Sequence, residues 1–459
     1  MSRPRDPAAS RRQMRSVAST VAALALFALP AQSGQAATPH TATTPIRHLV
    51  VMLQEQHSFD NFFGSRRGVD GIPQGVCAPV TSRGSKPCVA PFPLGGTGLK
   101  PSLHPTAAAQ AASVAGGHMN GFVVAQTTPH ISGKGAMGYY LPTDVPVLTQ
   151  LADHGVLFDR WFSSVPGGSI ANALFAVSAK TVPDTDRVPA AGWPDLPVIF
   201  DRLQTAGVSW KVYVEHYDPA LTITKVVPKV LRSGQLARVP LLALSQSQHR
   251  AALASHITGL DAYFSDVASG ALPAVSWIVT TASTEHPPGN PVTGQRIVRN
   301  VVNALSSSSA WPDSAFLLSY DSSGGWYDHV APPTQQGAVL GLRVPALLIS
   351  PFAKPGRVDH FQFGSASVLR FIETNWSVAP LTSRDASATN LAQAMSFDSA
   401  PHQAMIVGKA SGQLPPPIPN RSMIYIVYLL ALLAVGLIVA WAVVGSPQVT
   451  LGDAWQETS

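Results

Sequence analysis

Between residues 45 and 380, short apolar runs alternate with segments whose apolar positions recur every three or four residues. Ile46 to Leu53, Ala274 to Val279, Ala315 to Tyr320 and Val344 to Ile349 are rich enough in apolar residues to read as strands buried on both faces. Val145 to His154, Ala171 to Ala179 and Gly294 to Leu305 carry the helical period. No internal repeat is present. The alternation predicts an α/β fold, with a mostly parallel sheet and helices on both faces. In such sheets chemistry collects beyond the carboxyl ends of the strands, so the polar residues that follow each run matter most.

The two ends read differently. Arginine-rich residues 1–15 lead into an apolar stretch, Val17 to Pro30, and then into small residues around Gly34 to Ala36. That order is a secretory signal, expected over residues 1–37. Ser10-Arg11-Arg12-Gln13-Met14 resembles the twin-arginine export signal, and the general secretory route is the alternative. Met423 to Val444 is uncharged and apolar for about 22 residues, enough to cross a hydrocarbon core. A Pro-rich linker over 408–422 precedes it, and residues 445–459 would form a short cytoplasmic tail. The expectation is a single-pass cell-membrane protein whose large domain, residues 45–400, faces outward.

Composition narrows the function. Charged residues are only 12% of the chain and hydrophobic ones 46%, which excludes a charge-rich disordered chain. Of the net charge of +6, the first fifteen residues carry +4, and the remaining +2 forms no basic run. A phosphate-backbone binder needs a clustered cationic face, so nucleic acid is not an expected partner. Cys77 and Cys88 flank one short loop in the exported part, which predicts a local disulfide. Two cysteines are too few to hold zinc through sulfur.

The residues beyond the strands are Glu55 and Gln56, and Asp321 with Ser322, while His286 lies in Glu285-His286-Pro287-Pro288. Ser169 opens a helical run after Gly167-Gly168, where backbone N–H groups and the helix dipole favour an alkoxide or a phosphate oxygen. A serine needs a base or a metal to become a nucleophile, and carboxylates with imidazole from several strand ends can supply either. Each residue also has a plainer reading. Ser169 as an N-cap, Asp321 as a turn former, Glu55 as a helix-start carboxylate, Asp328-His329 as a surface pair and His104 as an exposed loop histidine all remain open at this point.

Longer motifs sharpen the picture. Ile46 to Gly64 resembles a strand followed by Glu-Asn-Arg-Ser-Phe-Asp-His-Tyr-Phe-Gly, and Gly116 to Phe122 resembles Gly-Gly-Lys-Met-Asp-Gly-Phe. Met137 to Tyr140, Leu151 to Asp153, Phe162 to Asn172, Val275 to Pro288 and Tyr320 to His329 follow in the same order. These motifs resemble the phosphoesterase family of bacterial phospholipases C and secreted acid phosphatases, within the alkaline-phosphatase-like superfamily. The resemblance runs from about Ile46 to about Asp385. It implies an alkaline-phosphatase-like fold, Ser169 as nucleophile, and Glu55, Gln56 and Asp321 as ligands of a divalent metal ion of unknown identity. His104 and His286 would lie around the transferred phosphoryl group.

The implied substrate is a phospholipid or another phosphate ester, cleaved through a phosphoseryl intermediate. The sequence departs from the family at several points. Gln56 replaces an Asn, Ser322 replaces a second acidic residue, and Gly168 and Ala173 replace a Pro and an Arg beside the nucleophile. Phe363-Gly364-Ser365 lacks an expected Asp. The expected function is therefore a membrane-anchored phospholipase C-type phosphodiesterase. A phosphomonoesterase of acid phosphatase type and a catalytically impaired anchored scaffold are the alternatives.

Overall fold

The structure is a computed structural model that describes residues 40–84, 86–95, 103–194, 196–221, 234–244, 253–281, 289, 291–408 and 421–445. The expected signal segment, most of the Pro-rich linker, the tail beyond Gly445 and His286 lie outside the described residues.

Eight strands form the central sheet: β1 His48–Gln54, β2 Val156–Phe158, β3 Trp210–Val214, β4 Ile257–Gly259, β5 Val275–Val279, β6 Ser314–Tyr320, β7 Ala346–Ile349 and β8 Arg357–Asp359. Their spatial order is β8-β2-β7-β6-β1-β5-β3-β4. The four apolar runs of the sequence supply β1, β5, β6 and β7. β1 sits between β5 and β6, parallel to both, with Leu49 opposite Val275 and Ala315. All seven residues of β6 are buried, so the sheet is covered on both faces. Burying one side chain such as Phe316 or Leu317 there contributes about 2–3 kcal/mol.

β7 departs from the mostly parallel pattern, because it runs antiparallel to both β6 and β2. Its run of four buried residues, Ala346 to Ile349, carries no alternation that would disclose direction. The reversal has a spatial consequence. The chain entering β7, at Arg343, lies at the same end of the sheet as the chain leaving β6.

The helices form two groups. Ser169–Ser178 packs with Ser365–Asn375, Ile199–Thr205 and Gly234–Arg238, while Pro291–Ser306 packs with Pro146–His154 and Asp261–Ser269. The expected helices begin one to three residues earlier or later than the periodicity suggested.

Cys77 and Cys88 are joined by a disulfide that closes a two-stranded turn, Ala78–Pro79 against Cys88–Val89. A helix spans Arg421–Gly445, and its stretch Tyr425–Ala442 has a mean hydropathy of 2.4. By length and composition it can cross a membrane.

Candidate active site

Three segments meet beyond the carboxyl ends of β1 and β6. The Asp321 N–H donates to Gln54 O at 3.0 Å, which carries the ladder one residue past the strands. The Gln56 N–H then donates to Asp321 Oδ1 at 3.2 Å. Gln56 takes a left-handed backbone with φ 57°, and Gly324 lies directly under it. A Cβ on Gly324 would sit 2.2 Å from Gln56 O, and Gly324 itself has φ 66°. Only glycine fits both demands. The Gly324-Gly325 pair is therefore more than a generic turn.

The third segment is the helix Ser169–Ser178. Gly168 takes the N-cap position with extended backbone, so the Ser169 side chain does not cap the helix. The preceding loop is fixed by Asn172, which accepts from Val165 N–H and donates to Val165 O and Gly168 O, each at 3.1 Å. Asp184 accepts the Gly168 N–H at 3.0 Å. The Ser169 hydroxyl instead accepts from Gln56 Nε2 at 3.1 Å and hydrogen-bonds the Asp321 carboxylate. The plain N-cap reading of Ser169 does not hold.

Charge at the site is dense and mostly hidden. Glu55 is 2% exposed and is paired with the Arg238 guanidinium, at the end of the short helix Gly234–Arg238. Burial pushes the Asp321 carboxyl above its usual range. Arg238, the hydroxyls of Ser169 and Ser322 and the Gln56 N–H oppose that rise without cancelling it. Ser322, standing where the family has an acid, donates to Asp321 Oδ1 at 3.0 Å. Two carboxylates, a hydroxyl and an amide form a hard donor set that fits a divalent cation.

His104 is not an exposed loop histidine. Its backbone is gripped by buried Gln126, which accepts the His104 N–H at 2.5 Å and donates to His104 O at 3.1 Å. A Cβ on Gly325 would meet Leu103 Cβ at 2.9 Å, and one on Gly168 would lie 3.4 Å from Pro105 O. The segment 103–105 therefore runs between the glycines next to Asp321 and Ser169. Among the described residues, His104 Nε2 is buried with no hydrogen-bond partner.

A second charged cluster lies on the same loops. Asp60, Asp328 and His329 bring three possible metal-ligand atoms within 4.8 Å of one another. Asp328 is fully buried, so the surface-pair reading of Asp328-His329 is corrected. Arg343 already bridges the carboxylates, with Nε 2.8 Å from Asp328 Oδ1 and Nη2 3.0 Å from Asp60 Oδ1. His329 Nδ1 lies 2.7 Å from Asp60 Oδ2. Burial works against charge on His329, but Asp60 and Asp328 prevail and hold its pKa above the usual value. The Arg343 guanidinium and the His329 ring thus hold these carboxylates, and the cluster ties together the loops that carry Glu55 and Asp321.

Sequence reading missed Arg238, Gln126 and Asp184. None stands in a motif, and each acts through a contact distant in sequence. A signal was available only for Gln126, which closely follows the Gly116 to Phe122 motif.

A serine hydroxyl at a helix N-terminus thus meets a buried carboxylate beyond a strand end of an α/β sheet. The Phosphoesterase family profile matches residues 46–379, and the chain belongs to that family of phosphoric ester hydrolases. It is 28% identical over 400 residues to the non-hemolytic phospholipase C of Pseudomonas aeruginosa, covering 74% of this chain and 55% of that protein. It is also 28% identical over 430 residues to phospholipase C B of Mycobacterium tuberculosis, covering 78% of this chain and 79% of the relative. Among solved structures, a protein of the alkaline phosphatase superfamily from Vibrio parahaemolyticus aligns with 14% identity and a TM-score of 0.37. That alignment covers 76% of this chain and 71% of the other.

Proposed function

We propose that this chain is a membrane-anchored phosphoesterase of phospholipase C type, acting outside the cell on phospholipids or related phosphodiesters. The observation that carries the reading is the junction of Ser169, Gln56 and Asp321, which sets a hydroxyl against a carboxylate at the mouth of the sheet. In this reading Ser169 Oγ attacks phosphorus in line, the alcohol of the ester leaves with a proton, and water releases the phosphate group from Ser169.

Glu55, Asp321 and Ser169, with the Gln56 carbonyl, would hold a divalent cation. Such an ion lowers the pKa of the hydroxyl and offsets charge on the phosphoryl oxygens. The orphaned Nε2 makes His104 suited to hydrogen-bond a phosphoryl oxygen or the leaving oxygen, and His286 is assigned the same role from the family motif. The helix Arg421–Gly445 would anchor the enzyme in the membrane.

The test is hydrolysis of p-nitrophenyl phosphocholine and of p-nitrophenyl phosphate by the purified chain, with and without chelator. Faster, chelator-sensitive cleavage of the diester supports the reading. Preference for the monoester would replace it with a phosphatase. No cleavage of either by metal-loaded protein would favour a scaffold.

A further inference from the structure

The contact between Arg238 and Glu55 has no place in the reaction as written, and its surroundings are unusual. Glu55 is almost fully buried, and the Arg238 side chain is only 12% exposed. Arg238 Nε has no hydrogen-bond partner among the described residues. Among the described residues, the guanidinium is held by the charge of Glu55 and Asp321. Two carboxylates buried this deeply require compensating charge, and among the described residues Arg238 supplies a cation that pairs with Glu55 and acts on Asp321. A guanidinium and a divalent ion cannot share Glu55 without strong repulsion at such short range.

We propose that Arg238 is an internal counter-cation that a divalent metal must displace from Glu55, so that metal affinity is set by competition within the chain. The inference rests on the metal-assisted reading above. It gives the site two states. In one the guanidinium neutralises Glu55 and the site is closed to metal. In the other the metal holds Glu55 and Asp321, and the guanidinium is released. Because the metal-free state is already compensated, the fold does not depend on metal, and loading responds to metal concentration rather than being permanent.

The experiment is isothermal titration of manganese(II) into the metal-stripped full chain in detergent, for wild type, Arg238→Gln, Arg238→Lys and Glu55→Gln. Arg238→Gln is expected to bind manganese about tenfold or more tightly than wild type, a gain of about 1.4 kcal/mol. Arg238→Lys, which keeps charge but loses the planar fork, is expected to fall between them. Without metal, Arg238→Gln should melt below wild type, and manganese should raise its Tm by more.

Equal or weaker manganese binding by Arg238→Gln overturns the proposal while the metal reading stands. If that variant does not fold, Arg238→Lys decides, and binding no tighter than wild type overturns it. Manganese binding by none of the proteins, or binding indifferent to Glu55→Gln, overturns the metal reading itself and this inference with it.

Discussion

Gln56 Nε2 lies 3.1 Å from Ser169 Oγ, joining residues 113 apart in sequence. The family has the shorter Asn at this position, and here the amide of the longer Gln meets the serine hydroxyl. It reaches the hydroxyl because the left-handed backbone at Gln56 turns the side chain toward the helix N-terminus. Replacing Ser169 by Ala should lower phosphate-ester turnover by at least about a thousandfold. Manganese binding by calorimetry should weaken only modestly, since both carboxylates remain. Turnover equal to wild type at matched metal loading would exclude Ser169 as nucleophile.

Gly324→Ala tests the ground under that geometry. The added methyl would lie 2.2 Å from Gln56 O, at a residue whose φ is 66°, so the Gln56 backbone must shift. A shift of about an ångström in a reacting group costs about a hundredfold in rate. The expected result is kcat reduced to that degree with a circular dichroism spectrum like that of wild type. Unchanged kcat would mean that Gln56 does not position the hydroxyl.

Arg343→Met should destabilise the fold by about 3–5 kcal/mol, because it strands Asp60 and Asp328 in the interior without their cation. Urea denaturation of the full chain measures it. A loss below about 1 kcal/mol would show that the loops are held by other means.

The carboxyl pair Glu373 and Asp385 should make stability fall on the alkaline side. Both are buried, and no donor reaches Glu373 Oε2 among the described residues. Burial pushes the Glu373 pKa up to about 9, and the hydrogen bond and charge of Asp385 act in the same direction. Glu373 is therefore the proton donor of the pair. The folded state keeps a proton that the unfolded chain releases from about pH 4.5, so stability declines from there up to about pH 9. Glu373→Gln keeps the donor and removes the titration. Its Tm should exceed that of wild type near pH 8.5, with a flatter profile. A variant profile as steep as wild type would exclude the pair as the cause.

The sheet's centre was legible because β1, β5 and β6 are continuous apolar runs, and Glu55 and Asp321 follow two of them directly. Ser169 was legible through Gly167-Gly168 and the helical period after it. The direction of β7 was not, since four buried residues have no polarity along the chain. Arg238 was invisible because an ion pair formed across 183 residues leaves no local pattern. The short strands β2, β4 and β8, three residues each, fall below the length at which periodicity can be read.

The node around Arg343 also marks where foreign sequence could be accommodated. Between His329 and Arg343 the chain forms a small hairpin, Thr334–Gln335 against Ala338–Val339, turning at Gln336-Gly337 with both φ angles positive. Its two ends are fastened by Asp328, His329 and Arg343, while Val339 is 52% exposed. Opening the turn forfeits the Gln336 hydrogen bonds to Ser383 O and Ser387 Oγ and the one it accepts from Ser383 Oγ. An epitope or fluorescent reporter grafted there would be separated from Glu55 and Asp321 by the buried guanidinium, giving a handle by which the protein could be followed with its chemistry undisturbed.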